Sequence, residues 1–193
     1  MTTRRFLSLW LPRLATDRAH KLRGEGRGGP PPPLVVVAKI KSAQRLVGVD
    51  AEAARLGLAP GLTLADARAR HPALEAVEAD PVAEARLLAR LADVCARFTP
   101  LVALDGADGL MLDVSGVAHL FGGEEGLLTE VEARLTRLRL TIALGLADAP
   151  SAAWALARYS SRRIAPAGLR RPAGQDPRAG RRPRPDPASD LAS

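Results

Sequence analysis

The chain has 193 residues, enough for one domain or one and a half, and is 47% apolar but only 3% aromatic, so its core must be built from Leu, Val and Ala. Its one cysteine, Cys95, excludes an intramolecular disulfide or a Cys-rich zinc site and points to a reducing cytoplasm; no apolar run reaches the roughly 20 residues of a membrane helix, so no membrane partner is expected. The net charge of +7 is uneven, with +8 on residues 1–45, −6 on 46–161 and +5 on 162–193, which places any affinity for an anionic partner in the N-terminal segment and the tail.

The opening could be mistaken for a signal peptide, but Pro12 and Arg13 break its apolar stretch and no small-residue cleavage site follows. Phe6 to Leu11 reads instead as a buried strand, followed by a short helix from Thr16 to Leu22. GEGRGGPPPP, residues 24–33, is too rich in Gly and Pro for regular structure and reads as a surface loop. Leu34 to Ala38 and Arg45 to Val49 are β-rich runs around a polar turn with Lys39, Lys41 and Ser42, which predicts a hairpin. Asp50 to Leu56 and Thr63 to Arg70 read as short helices, the second N-capped by Thr63 with Asp66 near its free amides and ended by His71 and Pro72.

The clearest helix starts at Asp80 as N-cap with Pro81 in first position and presents Leu87, Leu88, Leu91, Val94, Cys95 and Phe98 on one face. Leu101 to Asp105 and Leu110 to Val114 are strands joined by GADG, a tight-turn sequence. Glu124 to Leu138 is amphipathic, Leu140 to Leu146 strand-like, and Ala149 to Tyr159 helical with Ser151 near its start. The pattern predicts an α+β layer, a mostly antiparallel sheet with helices on one face and a small α/β insert after the first strand. From Ala165 periodicity stops, and residues 162–193 read as a disordered basic Pro/Arg-rich tail. So abrupt a change suggests a truncated or frame-shifted end.

Four segments in order, FLSLWLPRLATD, VVVAKIKSAQRLVGVDAEAARLGLAPGLTLADA, TPLVALDGADGLMLDVSGVAHLFGG and IALGLADAPSAAWALARY, resemble the palm and fingers of a Y-family (DinB/UmuC-type) DNA polymerase over residues 5 to 160. LWLPRLATD and AHLFGG resemble in particular its ImuB-like, non-catalytic branch. The resemblance implies a palm at residues 1–23 and 73–161 with a fingers-like insert at 24–72. Phosphoryl transfer by two metals needs carboxylates holding two ions about 4 Å apart. The family's first-strand Asp falls on Trp10, which cannot ligate Mg²⁺. Its hairpin Asp-Glu pair falls on Asp108 and Gly109, so one ligand of three remains and no cofactor is expected. Asp113 is kept but is not one of the three. The Tyr and Arg that hold the triphosphate fall on Ala51 and Ala54, although Arg55 stands next to the second.

Each of these residues also has an ordinary structural reading. Trp10 suits a packed strand position, and Asp108 before Gly suits a hairpin turn, as Asp105 suits a strand end. His20, His71 and His119 lack metal-ligand spacing, Cys95 fits a core face, and neither GEGRGG nor FGG is a phosphate loop. Arg4, Arg5, Lys39, Lys41 and Arg45 are candidate DNA-phosphate contacts, or equally a solvated basic face.

The resemblance implies an adaptor in translesion DNA synthesis, the SOS response and DNA repair. Its partners would be damaged or primer-template DNA, an error-prone replicative-type polymerase, an ImuA-like protein and the sliding clamp, the clamp contact being lost with the missing C-terminal regions. Two rivals stand beside it. One is an active error-prone polymerase with repositioned carboxylates Asp105, Asp108 and Asp113, requiring Mg²⁺; the other is a general basic nucleic-acid-binding protein.

Overall fold

Two sheets organise the chain in the computed structural model, which describes residues 4–23, 32–160 and 164. Residues 24–31 of the expected loop and the predicted disordered tail, Ile164 excepted, lie outside the described residues. The larger sheet runs in the order β5 (Val102–Asp105), β6 (Gly109–Asp113), β1 (Phe6–Trp10), β7 (Ala143–Ala147), every pairing antiparallel. The smaller is the hairpin β2 (Leu34–Ile40) and β3 (Ala43–Val49), with β4 (Glu75–Glu78) parallel to β2 on its other side.

Period-two alternation gives the large sheet two different faces. Leu7, Leu9, Leu110, Leu112, Leu144 and Leu146 are buried on one face, clustered with Leu88, Leu91 and Cys95 of α4 (Pro81–Cys95) and Leu127, Leu128, Val131 and Leu135 of α5 (Glu124–Thr136). The intervening positions, among them Ser8, Trp10, Gly109 and Gly145, point to the other face, where α6 (Pro150–Tyr159) lies against β1 and β7. Gly145 permits this seating: a Cβ there would meet the Ala153 carbonyl oxygen at 2.3 Å and the Ala157 nitrogen at 2.5 Å.

The smaller sheet packs Val35, Val37 and Leu46 against Ala53 of α2 (Ala51–Arg55) and Ala67 of α3 (Leu64–Arg70) in a core of its own. The predicted Thr63 and Asp80 caps are present, with Asp66 N donating to Thr63 Oγ1 and Ala83 N to Asp80 Oδ1, and Asp50 caps α2 in the same way by accepting from Ala53 N. The first helix, α1 (Leu14–Arg23), begins two residues earlier than the sequence pattern indicates. It ties the two sheets together: Thr141 N donates to Asp17 Oδ2 at 2.5 Å, and His20 Nε2 lies 3.1 Å from Asp50 Oδ2. Arg18 pairs with Asp80, and Arg23 with Glu75 of β4.

Candidate palm site

The strand β1 and the β5–β6 hairpin bring three of the singled-out positions together. Trp10 is the register partner of Gly109 across β1 and β6, and Asp108 immediately precedes that pair in the hairpin turn. The Trp10 indole N–H donates to Asp108 Oδ2 at 2.9 Å, so the Asp108 carboxylate is already a hydrogen-bond acceptor within the protein.

A residue the sequence reading did not single out completes the cluster. Arg158, in the last turn of α6, has a side chain only 9% exposed, and its Nη2 lies 3.6 Å from Asp105 Oδ2 and 3.7 Å from Asp108 Oδ1. Its Cζ stands 5.4 Å from the Trp10 ring centroid and 4.4 Å from that of Trp154, distances at which the ring quadrupole attracts a cation. The signal was present in PSAAWALARY: Trp154 and Arg158 are spaced i, i+4 and so share a helix face. What the pattern lacked was the face of the sheet on which that helix lies.

Gly109 provides room for this arrangement. A Cβ there would stand 2.8 Å from the Asp105 carbonyl oxygen, 3.2 Å from Arg158 Nη2 and 3.3 Å from Asp105 Oδ2. Asp105 Oδ2 and Arg158 Nη1 are buried with no hydrogen-bond partner among the described residues, as is Ser8 Oγ. These residues do not fit a pair of Mg²⁺ ions, which require several oxygen ligands each. The cluster offers two carboxylates with a guanidinium against both of them, an indole and a glycine. Among the described residues, no three His, Cys, Asp or Glu side chains come together in a possible metal site.

Asp113 does not join them, which removes the repositioned triad of Asp105, Asp108 and Asp113. It stands opposite Phe6, at the other end of β6 from Gly109 and about 13 Å away at the strand rise. There its Oδ1 accepts the Ser115 N–H at 2.9 Å, and the Ser115 hydrogen bonds hold its carboxyl below the usual range, with Arg4 adding to the effect.

The basic candidates divide. Lys39 and Lys41 are exposed on the β2–β3 hairpin, Lys41 in its turn with φ 58°, and Arg4 is exposed before β1. Arg45 donates to the Gly61 carbonyl oxygen at 2.8 Å. Arg5 is not a DNA-phosphate contact. It is 6% exposed, gives two hydrogen bonds of 2.6 Å to Glu124 and one of 2.5 Å to Asp148, and so fastens α5 and the end of β7 to β1. Ala51 and Ala54 are exposed on α2, and Arg55 pairs with Glu52.

Residues 31–158 match the model of the impB/mucB/samB family. ImuB of Caulobacter vibrioides, strain NA1000 / CB15N, is 46% identical over 114 residues, which are 58% of this chain and 25% of that protein; ImuB of strain ATCC 19089 / CIP 103742 / CB 15 gives the same figures. Among solved structures, a post-insertion binary complex of Dbh DNA polymerase superposes with a TM-score of 0.70 at 17% identity, over 83% of this chain and 47% of that one. DinB from Sulfolobus solfataricus gives 0.64 at 17% identity, with the same coverage. The chain thus spans a quarter of its curated relatives and just under half of these polymerases. It belongs to the impB/mucB/samB family, as an ImuB-like chain with the α+β palm of a Y-family DNA polymerase.

Proposed function

We propose that this chain is a non-catalytic palm-and-fingers module acting in translesion DNA synthesis and DNA repair. In this reading it serves as an adaptor that helps assemble damaged or primer-template DNA, an error-prone replicative-type polymerase and an ImuA-like protein. The division into a palm at residues 1–23 and 73–161 and a fingers insert at 24–72 belongs to this proposal. The observation that carries it is the Trp10 to Asp108 hydrogen bond of 2.9 Å. Where two-metal chemistry needs a second carboxylate, an indole donates to the first.

DNA contact is assigned to the exposed Arg4, Lys39 and Lys41 and to Arg45, as sequence-independent phosphate binding. The test is Mn²⁺ titration followed by electron paramagnetic resonance, with and without a deoxynucleoside triphosphate, alongside primer extension. The expected result is neither nucleotide-enhanced Mn²⁺ binding nor extension by a protein whose circular dichroism is that of a folded α+β chain. Binding that the nucleotide tightens and Asp108→Ala abolishes would restore the active-polymerase reading.

A further inference from the structure

The non-catalytic reading leaves open why two carboxylates stay together on a palm that makes no use of them. Asp105 and Asp108 flank a tight turn, where mutual repulsion would ordinarily be relieved by solvent or by a bound cation. Here the relief comes from within the chain. The Arg158 guanidinium lies 3.6 Å from one carboxylate and 3.7 Å from the other, with its side chain 9% exposed. Two indoles hold it in place, Trp10 from the sheet and Trp154 from its own helix. Glycine at position 109 keeps the space clear, because even a methyl group there would stand 3.2 Å from Arg158 Nη2.

We propose that Arg158 is a built-in replacement for the divalent cation of this fold. It is a fixed organic cation that neutralises Asp105 and Asp108, excludes metal from between them and makes the palm hairpin independent of metal. The inference rests on the non-catalytic reading and extends it. Loss of ligands explains weak metal binding, whereas an internal cation predicts that metal affinity returns when that cation alone is removed. A guanidinium suits the task because it stays charged at any physiological pH and its planar face stacks on aromatic rings, which an ammonium does less well.

The experiment compares Mn²⁺ binding by electron paramagnetic resonance in the wild-type chain, Arg158→Met and Arg158→Lys, with thermal melts in chelator and in excess Mn²⁺. Wild type is expected to show no site and no metal-dependent melt. Arg158→Met should bind Mn²⁺ about tenfold more tightly or better, since removing a like charge that close is worth at least one order of magnitude. That gain should disappear when Asp108→Asn is added. Arg158→Lys, which keeps the charge, should gain nothing.

Should Arg158→Met be unfolded in chelator, Mn²⁺ is expected to restore its folded circular dichroism, and a variant left unfolded at millimolar Mn²⁺ overturns the proposal. A folded Arg158→Met with no more affinity than wild type also overturns it while leaving the non-catalytic reading intact, as does equal gain in the Lys variant. Tight Mn²⁺ binding by the wild-type chain at Asp108 would remove both.

Discussion

Asp17 shows how much a single carboxylate can do away from any site. It lies on α1 and accepts from Thr141 N at 2.5 Å and Thr141 Oγ1 at 3.3 Å, joining that helix to the approach to β7. Burial pushes its carboxyl above the usual value of 3.8, although the Thr141 hydrogen bonds and the nearby Arg13 and His20 pull the other way. The sign of the pH effect follows. With a folded-state pKa above the unfolded one, Asp17 favours the fold most below pH about 4, and this contribution is lost as pH rises through the folded value. Asp17→Asn retains an oxygen to accept the Thr141 N–H and cannot ionise. Relative to wild type its melting temperature should therefore gain as pH is raised above about 4 and level off near neutrality. Allowing for solvent screening, the gain should be a few tenths of a kcal/mol, about 1–2 °C. Melts from pH 3.5 to 7.5 would check this, and a flat difference across that range would mean that Asp17 titrates as it does in the unfolded chain. Asp113 has the opposite sign and is present in both proteins, so its effect cancels in the comparison.

At the scale of elements, the helices that carry their own caps were the most legible, because Asp50, Thr63 and Asp80 each accept an amide of the turn they open. The strand β4 was not visible: EAVE is four residues long, and only its parallel partner β2 makes it a strand. The apolar run from Leu140 predicted too early a start for β7. Its ladder begins at Ala143, the partner of Trp10, because β1 offers pairing only from Phe6 to Trp10. The placement of α6, and with it the partner of Asp105 and Asp108, depended on Gly145, whose meaning comes from what crosses it in space.

That seating gives an element-scale prediction. In Gly145→Ala the methyl group would collide with backbone at 2.3 and 2.5 Å, which no rotamer change can relieve, so α6 must lift from the sheet. The expected loss is about 3 kcal/mol. Only two tryptophans are present, and both flank Arg158, so emission should shift to the red in the folded variant. Gly48→Ala, whose new Cβ would meet ordinary contacts of 3.5 Å and more, should stay within about 0.5 kcal/mol of wild type. Equal stability of the two variants in urea would show that α6 does not rest on Gly145.

For the whole molecule, the α+β class followed from short apolar runs and one strongly patterned helix, whereas the role of charge did not follow from its sum. A net charge of +7 counts Arg5 and Arg158 with the surface cations, yet both face carboxylates from the interior. The single cysteine reports on that interior. Cys95 is 0% exposed among the leucines of the larger core, and burial pushes its thiol up to about 11. Reaction with a thiol reagent at pH 8 therefore requires the core to open, since the thiolate is the nucleophile and almost none forms in place. If α4 and the sheet open only together, the labelling rate should rise steeply with urea, and its protection should equal the unfolding free energy from circular dichroism. The two tryptophans face the other side of the sheet, so Gly145→Ala should alter emission while lowering Cys95 protection only by its loss of global stability. Labelling that is fast and insensitive to urea would instead mean that α4 detaches from the sheet on its own, making the leucine face a separate cooperative unit.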